Sequence, residues 1–325
     1  MKFTAACVSA ALILLSCSAA FPVIYTNTII PPFGKIVSYK IINYYLKSDP
    51  SVLISREALA ADSQRPFYYF INMDTLTYGI TDEWDIRKDF TQTGDGQDHK
   101  FTRLKKIISA RERPFGTSGQ DKALPDSNPG NMTNIVLTSD LCPTSKHFAR
   151  RFYESLSEYG KKSGGPVRIV IFFSGRWLER HPEDLREIKK FPINFIAGNH
   201  TYDHPIISGG YLREFLIGEV TNTEMIMLEN GLLPSYFFRF PGLRHTASDI
   251  KILDSINITA IDANAWMGNN FTNWNVLLVH SNGNAISEVD AFTNFIQGPV
   301  DGIKFQGIFS LIGLYLPTVR LPAVK

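Results

Sequence analysis

Phe191-Pro192-Ile193-Asn194-Phe195-Ile196-Ala197 runs directly into Gly198-Asn199-His200-Thr201-Tyr202-Asp203-His204-Pro205, and this junction decides how the rest of the chain is read. The apolar run reads as a buried strand. The two imidazoles then leave from the loop or first helical turn at its C-terminal end. Four residues apart, they can close on one divalent ion, and neutral imidazole suits zinc and its neighbours. The spacing alone is a weak signal, because two hydrogen-bonded surface histidines would show it too.

From Asn134 onward, short apolar or β-branched runs alternate with longer amphipathic stretches. The runs are Ile135 to Leu137, Val167 to Phe173, Phe191 to Ala197, Tyr236 to Phe238, Ile258 to Ile261 and Val276 to Val279. Phe148, Phe152, Leu156 and Tyr159 recur at helical spacing behind Thr144-Ser145, which predicts an N-cap there. Further helices are expected over 182–190, 209–230 and 246–256. Strand and helix in alternation imply an α/β fold with a parallel sheet, and a (β/α) barrel is one way to close it. Asp140, His200 with His204, Arg239, Asp262 and His280 stand at the ends of five of these runs. In such barrels the C-terminal strand ends meet on one face, so these residues are expected in one pocket.

With those residues in view, the chain resembles the NodB-homology polysaccharide deacetylases, carbohydrate esterase family four. These are metal-dependent esterases of chitin oligomers, peptidoglycan and related N-acetylated glycans. Four motifs are intact: His200-Thr201-Tyr202-Asp203-His204, Arg239-Phe240-Pro241-Gly242, Asp262-Ala263-Asn264-Ala265-Trp266 and Leu278-Val279-His280. The first departs from the family's T-F-D-D-G-P and stands as Thr138-Ser139-Asp140-Leu141-Cys142-Pro143.

The resemblance implies a distorted NodB-like (β/α) barrel and a divalent metal on His200 and His204, zinc first, with cobalt or nickel as alternatives. It implies Asp140 as general base and His280 as general acid. Arg239 and Asp262 would orient the base and the acid, while Pro241 and Trp266 would line the substrate, Trp266 as an apolar wall for the acetyl methyl. The family's carboxylate ligand is replaced by Leu141, which leaves two certain ligands unless Asp140 itself moves onto the metal; should Leu141→Asp damage a tightly binding wild type, Asp203 is the first suspect for completing the set. By the same reasoning, Leu141→Asp is expected to tighten metal binding. The implied reaction is removal of N-acetyl or O-acetyl groups from an envelope or extracellular glycan. The alternative is a catalytically impaired relative that only binds glycan, which Leu141 favours. The other histidines, His99, His147, His181 and His245, carry no motif and read as surface residues.

The chain has 325 residues, 44% hydrophobic and 20% charged, with a net charge of +2. That balance and the absence of a basic patch interleaved with aromatics argue against a nucleic-acid partner. Lys2, the apolar run Ala5 to Leu15 and the small residues after it read as an export signal over residues 1–20. Cleavage is expected after Ala20, or before Cys17 with a lipid anchor there. The mature protein is then exported, to the cell envelope or periplasm or fully secreted. Later segments are too short to span a membrane, and Ile308 to Leu316 reads as core. Of three cysteines only Cys142 lies clear of the signal, so no disulfide framework is expected. Four N-x-T sequons, at Asn131, Asn199, Asn257 and Asn270, are read as incidental. Residues 21–130 mix polar and aromatic residues irregularly and read as an extension and linker of unassigned structure and role. The boundary is placed in the Gly/Pro/Ser/Asn-rich stretch 116–131, ahead of a deacetylase-like domain over 131–325.

Overall fold

The structure, a computed structural model, describes residues 27–73, 75–82, 84, 86–92, 133–298 and 302–315. The expected export signal with Cys17, the linker 116–131 and His99 lie outside the described residues. Within residues 27–92, β1 (Ile36–Leu46), β2 (Asp49–Ala60), β3 (Phe67–Asn72) and β4 (Tyr78–Thr81) are followed by a helical turn α1 (Ile86–Asp89) and β5 (Phe90–Gln92). They form an antiparallel sheet in the order β4-β3-β2-β1-β5. The sequence reading assigned no elements here, and the reason is physical. Register shifts break the β1–β2 pairing at three places, which destroys the period-two alternation. β4 is buried at all four positions, so it shows no polar face at all.

The second sheet holds the expected strands. β6 (Thr133–Leu141), β7 (Arg168–Phe173), β8 (Asn194–Asn199), β9 (Pro234–Phe238), β10 (Thr259–Ala260) and β11 (Asn275–His280) lie parallel in the order β10-β9-β8-β7-β6-β11. The intervening helices are α2 (Arg150–Ser163), α3 (Gly175–Arg180), α4 (Pro182–Ile188), α5 (Arg213–Glu229) and α6 (Ala247–Ser255). After β11 come α7 (Ile286–Gln297), β12 (Ile303–Gln306), which pairs with the first half of β6, and α8 (Ile308–Tyr315). α8 packs Ile308, Leu311 and Ile312 into the core as expected, and no helix of the described residues is long and apolar enough to cross a membrane. The ring between β10 and β11 is closed not by a strand pair but by residues 264–265: Ala265 bridges Leu277, and the Leu278 amide donates to the Ala265 carbonyl at 3.0 Å. The result is a distorted (β/α) barrel.

Alternation sorts each strand's side chains. Val136, Val170, Phe172 and Val276 fall in one buried cluster, while Ile135, Leu137, Leu141, Ile171, Phe173, Leu277 and Val279 fall in another with Phe152 and Leu156 of α2. The odd residues of β6 therefore face the helices and the even ones face the barrel interior. α2 begins at Arg150, later than the predicted cap, because Thr144 is engaged elsewhere: its hydroxyl donates to Asn284 Oδ1 and accepts from the Lys146 amide.

The two sheets share a core. Leu53, Tyr69 and Ile71 of the N-terminal sheet cluster with Leu216, Val220 and Leu228 of α5. Through that core runs a buried ion pair, Arg56 Nε to Glu224 Oε2 at 2.9 Å, to which the Tyr39 hydroxyl adds a bond at 2.8 Å.

Candidate active site

Parallel register sets the site. His280 of β11 stands opposite Asp140 of β6, Asp140 opposite Phe172 of β7, and Phe172 opposite Gly198 of β8, two residues before His200. Arg239 follows β9 directly, and its amide donates to the Asn199 carbonyl at 2.9 Å. Sequence stretches more than a hundred residues apart thus end side by side, as expected from the strand-end pattern.

Arg239 is fully buried, and its guanidinium spends its donors on four acceptors. Nη1 reaches Asp140 Oδ1 at 2.9 Å and Thr138 Oγ1 at 2.8 Å, Nε the Ile261 carbonyl and Nη2 the Asp262 carbonyl, both at 3.0 Å. It lies 4.3 Å over the Phe172 ring. Burial alone would raise the Asp140 pKa, but Arg239, with His200 and His280, outweighs it and holds the carboxyl below its usual range. Gly198 is required for this packing, because a Cβ there would stand 2.4 Å from the Phe172 ring. Gly198→Ala is expected to push Phe172 out from beneath Arg239 and to cost about 1–3 kcal/mol by overpacking. A urea titration checks this through a lower midpoint at unchanged slope.

The histidine loop is fixed just as firmly. His200 Nδ1 lies 2.8 Å from the Arg239 carbonyl; a carbonyl only accepts, so Nδ1 carries the proton and Nε2 offers its lone pair to the site. Thr201 and His204 both adopt left-handed backbone, φ 63 and 59. Asn199 Oδ1 accepts the Thr201 amide, and Glu219 of α5 accepts the amides of Tyr202 and Asp203 at 2.9 and 2.8 Å. Burial lowers the pKa of both histidines, that of His204 to about 3, so both imidazoles are neutral and able to ligate.

Cys142 joins this pair. Its Sγ is 3.6 Å from His200 Nε2, and the donor atoms of Cys142, His200 and His204 all lie within 4.8 Å of one another. A sulfur and two neutral imidazole nitrogens converging on one point fit a divalent metal such as zinc. Asp140 Oδ2 stands beside them, 3.6 Å from His200 Nε2. The suggested stand-in Asp203 is not part of the group: its carboxylate pairs with exposed Arg176 at 2.7 Å. Leu141 points the other way, into the outer core with Phe173 and Trp177. The expected gain from Leu141→Asp therefore fails on geometry, since it would bury a charge among helices.

His280 is held by a residue the sequence reading missed. Glu288 of α7 accepts from both the His280 amide and its Nδ1, the latter at 3.0 Å. That bond, reinforced by Asp140, raises the His280 pKa despite partial burial. A carboxylate eight residues downstream on the next helix was the available signal. Asp262 does not meet His280. Its carboxylate faces His245 Nε2 at 3.2 Å, which corrects both the expected role of Asp262 and the placing of His245 on the surface. Asp262 Oδ1 and His245 Nδ1 are buried without a hydrogen-bond partner among the described residues.

Pro241 is buried at the start of a short 3-10 turn, and Trp266 is 41% exposed just past the bridge that closes the barrel. His147 is on the surface as read, but His181 is buried. Its Nε2 lies 3.0 Å from the Thr144 carbonyl and its Nδ1 3.2 Å from Asp184, which also accepts the Phe148 amide. The sequon Asn199 is fully buried, with its amide on the Val220 carbonyl.

Residues 127–261 match the family model described as polysaccharide deacetylase. The matched segment carries Asp140, His200, His204 and Arg239. Solved structures similar to this chain include a family 4 carbohydrate esterase from Bacillus anthracis, at 15% identity over 68% of this chain and 95% of that one, with a TM-score of 0.48. Another is the peptidoglycan deacetylase PdaC from Bacillus subtilis, at 18% identity over 57% and 93%, TM-score 0.46. A third is a family pseudoenzyme from Bacillus anthracis, at 17% identity over 56% and 66%, TM-score 0.44.

Proposed function

We propose that the protein is a metal-dependent deacetylase that hydrolyses N-acetyl, or O-acetyl, groups of an envelope or extracellular polysaccharide such as peptidoglycan or a chitin-like glycan. The observation that carries this reading is the cross-strand pairing of Asp140 with His280 beside the donors of His200 and His204. A site built only to bind glycan has no use for a low-pKa carboxylate and a high-pKa imidazole facing one cluster of metal donors. When bound, a divalent ion supplies Lewis acidity at the acyl carbonyl and makes a neighbouring water more acidic.

The chain's own groups do the rest. Arg239 keeps Asp140 ionised and occupies Oδ1, so Oδ2 is the oxygen that takes the proton of the attacking water. Through its carbonyl on His200 Nδ1, the same arginine fixes the tautomer that leaves Nε2 free. Glu288 holds His280 by Nδ1, which leaves Nε2–H to protonate the departing amine. Trp266 offers exposed apolar surface to a sugar face or acetyl methyl. The competing reading, a protein that binds glycan without cleaving it, draws on Leu141, which supplies no donor. Acetate release from chitin oligomers and peptidoglycan by the zinc-loaded protein, lost on chelation, supports the deacetylase; glycan binding without release overturns it. Export follows from residues 1–20, and mass spectrometry of the extracellular or envelope protein distinguishes an N-terminus after Ala20 from one at a lipidated Cys17.

The pH profile of kcat/KM is expected to be bell-shaped and broad, because the acid limb belongs to a lowered Asp140 and the alkaline limb to a raised His280. Glu288→Gln removes the largest cause of the raised His280 pKa. The alkaline limb should move to lower pH while the acid limb stays. A rate loss equal at every pH would show that Glu288 only supports the fold.

A further inference from the structure

We infer that Cys142 is the third protein ligand of the metal, its thiolate replacing the carboxylate that Leu141 does not supply. This rests on the reading of His200 and His204 as metal ligands. Strand alternation provides the reason: β6 ends at Leu141, whose side chain faces the helices, and the following residue returns to the side of Val136, Thr138 and Asp140. The ligand has moved one position along the chain to stay on the interior face. Distance agrees with this. Bonds of about 2.3 Å to sulfur and about 2.0–2.1 Å to nitrogen, at a tetrahedral angle, put the two donors about 3.6 Å apart. Cys142 Sγ and His200 Nε2 are 3.6 Å apart.

The backbone around the thiol is fixed rather than adaptable. The Leu141 carbonyl accepts from the Ser174 hydroxyl at 2.9 Å and amide at 3.2 Å, and the Cys142 carbonyl from Asn282 Nδ2 at 3.4 Å. On binding, the S–H bond breaks, its electron pair forms the metal–sulfur bond and the proton passes to solvent; no oxidant or reductant is involved. One sulfur and two nitrogens leave a fourth position open, the pattern of a catalytic rather than a structural zinc site. Thiolate also biases the site toward zinc or cobalt and away from magnesium or manganese.

The test uses the full protein, stripped by chelation and titrated with cobalt(II), together with Cys142→Ser and His200→Ala. The wild type should show a near-ultraviolet sulfur-to-cobalt charge-transfer band with a tetrahedral visible spectrum. Cys142→Ser should lose that band and bind cobalt more weakly, and zinc should protect Cys142 of the wild type from alkylation, a readout that needs no folded variant. Cobalt binding that His200→Ala abolishes, without a charge-transfer band and with Cys142 alkylated equally fast with or without zinc, overturns the cysteine ligand and leaves the deacetylase reading standing. No cobalt binding by the wild type at all overturns both.

Discussion

Asp140→Asn is expected to lower kcat by about 10²–10⁴-fold, the usual worth of a positioned general base and about 3–5 kcal/mol of barrier. The substitution is nearly isosteric, and the amide oxygen still accepts from Arg239 Nη1, so the guanidinium keeps a partner in its buried setting. KM and the urea midpoint should move far less than kcat. Steady-state acetate release on the metal-loaded variant, with denaturation alongside, separates the two effects. A variant that turns over within a few-fold of the wild type would remove Asp140 from the chemistry and leave it a structural partner of Arg239.

Arg56→Met is expected to destabilise the whole molecule by about 3–5 kcal/mol, because it leaves Glu224 as an uncompensated charge in a buried place. Both side chains are almost wholly covered, at 3% and 4% exposure, and the remaining Tyr39 bond does not neutralise the carboxylate. The double variant Arg56→Met/Glu224→Leu should recover most of the loss, since replacing a buried ion pair by apolar groups of similar volume is close to neutral. Denaturation of the two variants checks this. The size of the effect bears on the boundary expected near residues 116–131. If the N-terminal sheet were an independent unit, Arg56→Met would unfold residues 27–92 and spare the barrel. The shared core predicts one cooperative transition instead.

The barrel was legible because its strands are short, parallel and buried on both faces, so each appears as an apolar run closed by a polar residue. Asp140, His200, His204, Arg239 and His280 announced themselves by standing at those ends, and register then put them together. Partners chosen by helices were harder to see. Glu288 and Glu219 look like ordinary solvent-facing acids until α7 and α5 are docked on the strand ends. Cys142 was legible in principle, since it stands two residues beyond Asp140, immediately after the strand, and continued alternation puts it on the same face. Reading the motif by position drew attention to Leu141 instead. Residues 36–92 were opaque for a different reason: bulges in β1 and β2 and full burial of β4 remove the alternation by which strands are recognised.

α5 has a consequence for the order of events as the chain is made. Glu219 and Glu224 are five residues apart, which turns them about 140° around the helix, one toward the histidine loop and the other toward Arg56. The Arg56–Glu224 contact spans 168 residues of sequence, and contacts of such range form late. A chain emerging N-terminus first thus holds its leading sheet incomplete until the helix arrives. The arrival that finishes the sheet also clamps the loop between His200 and His204, so a half-delivered chain has neither a settled core nor a working centre.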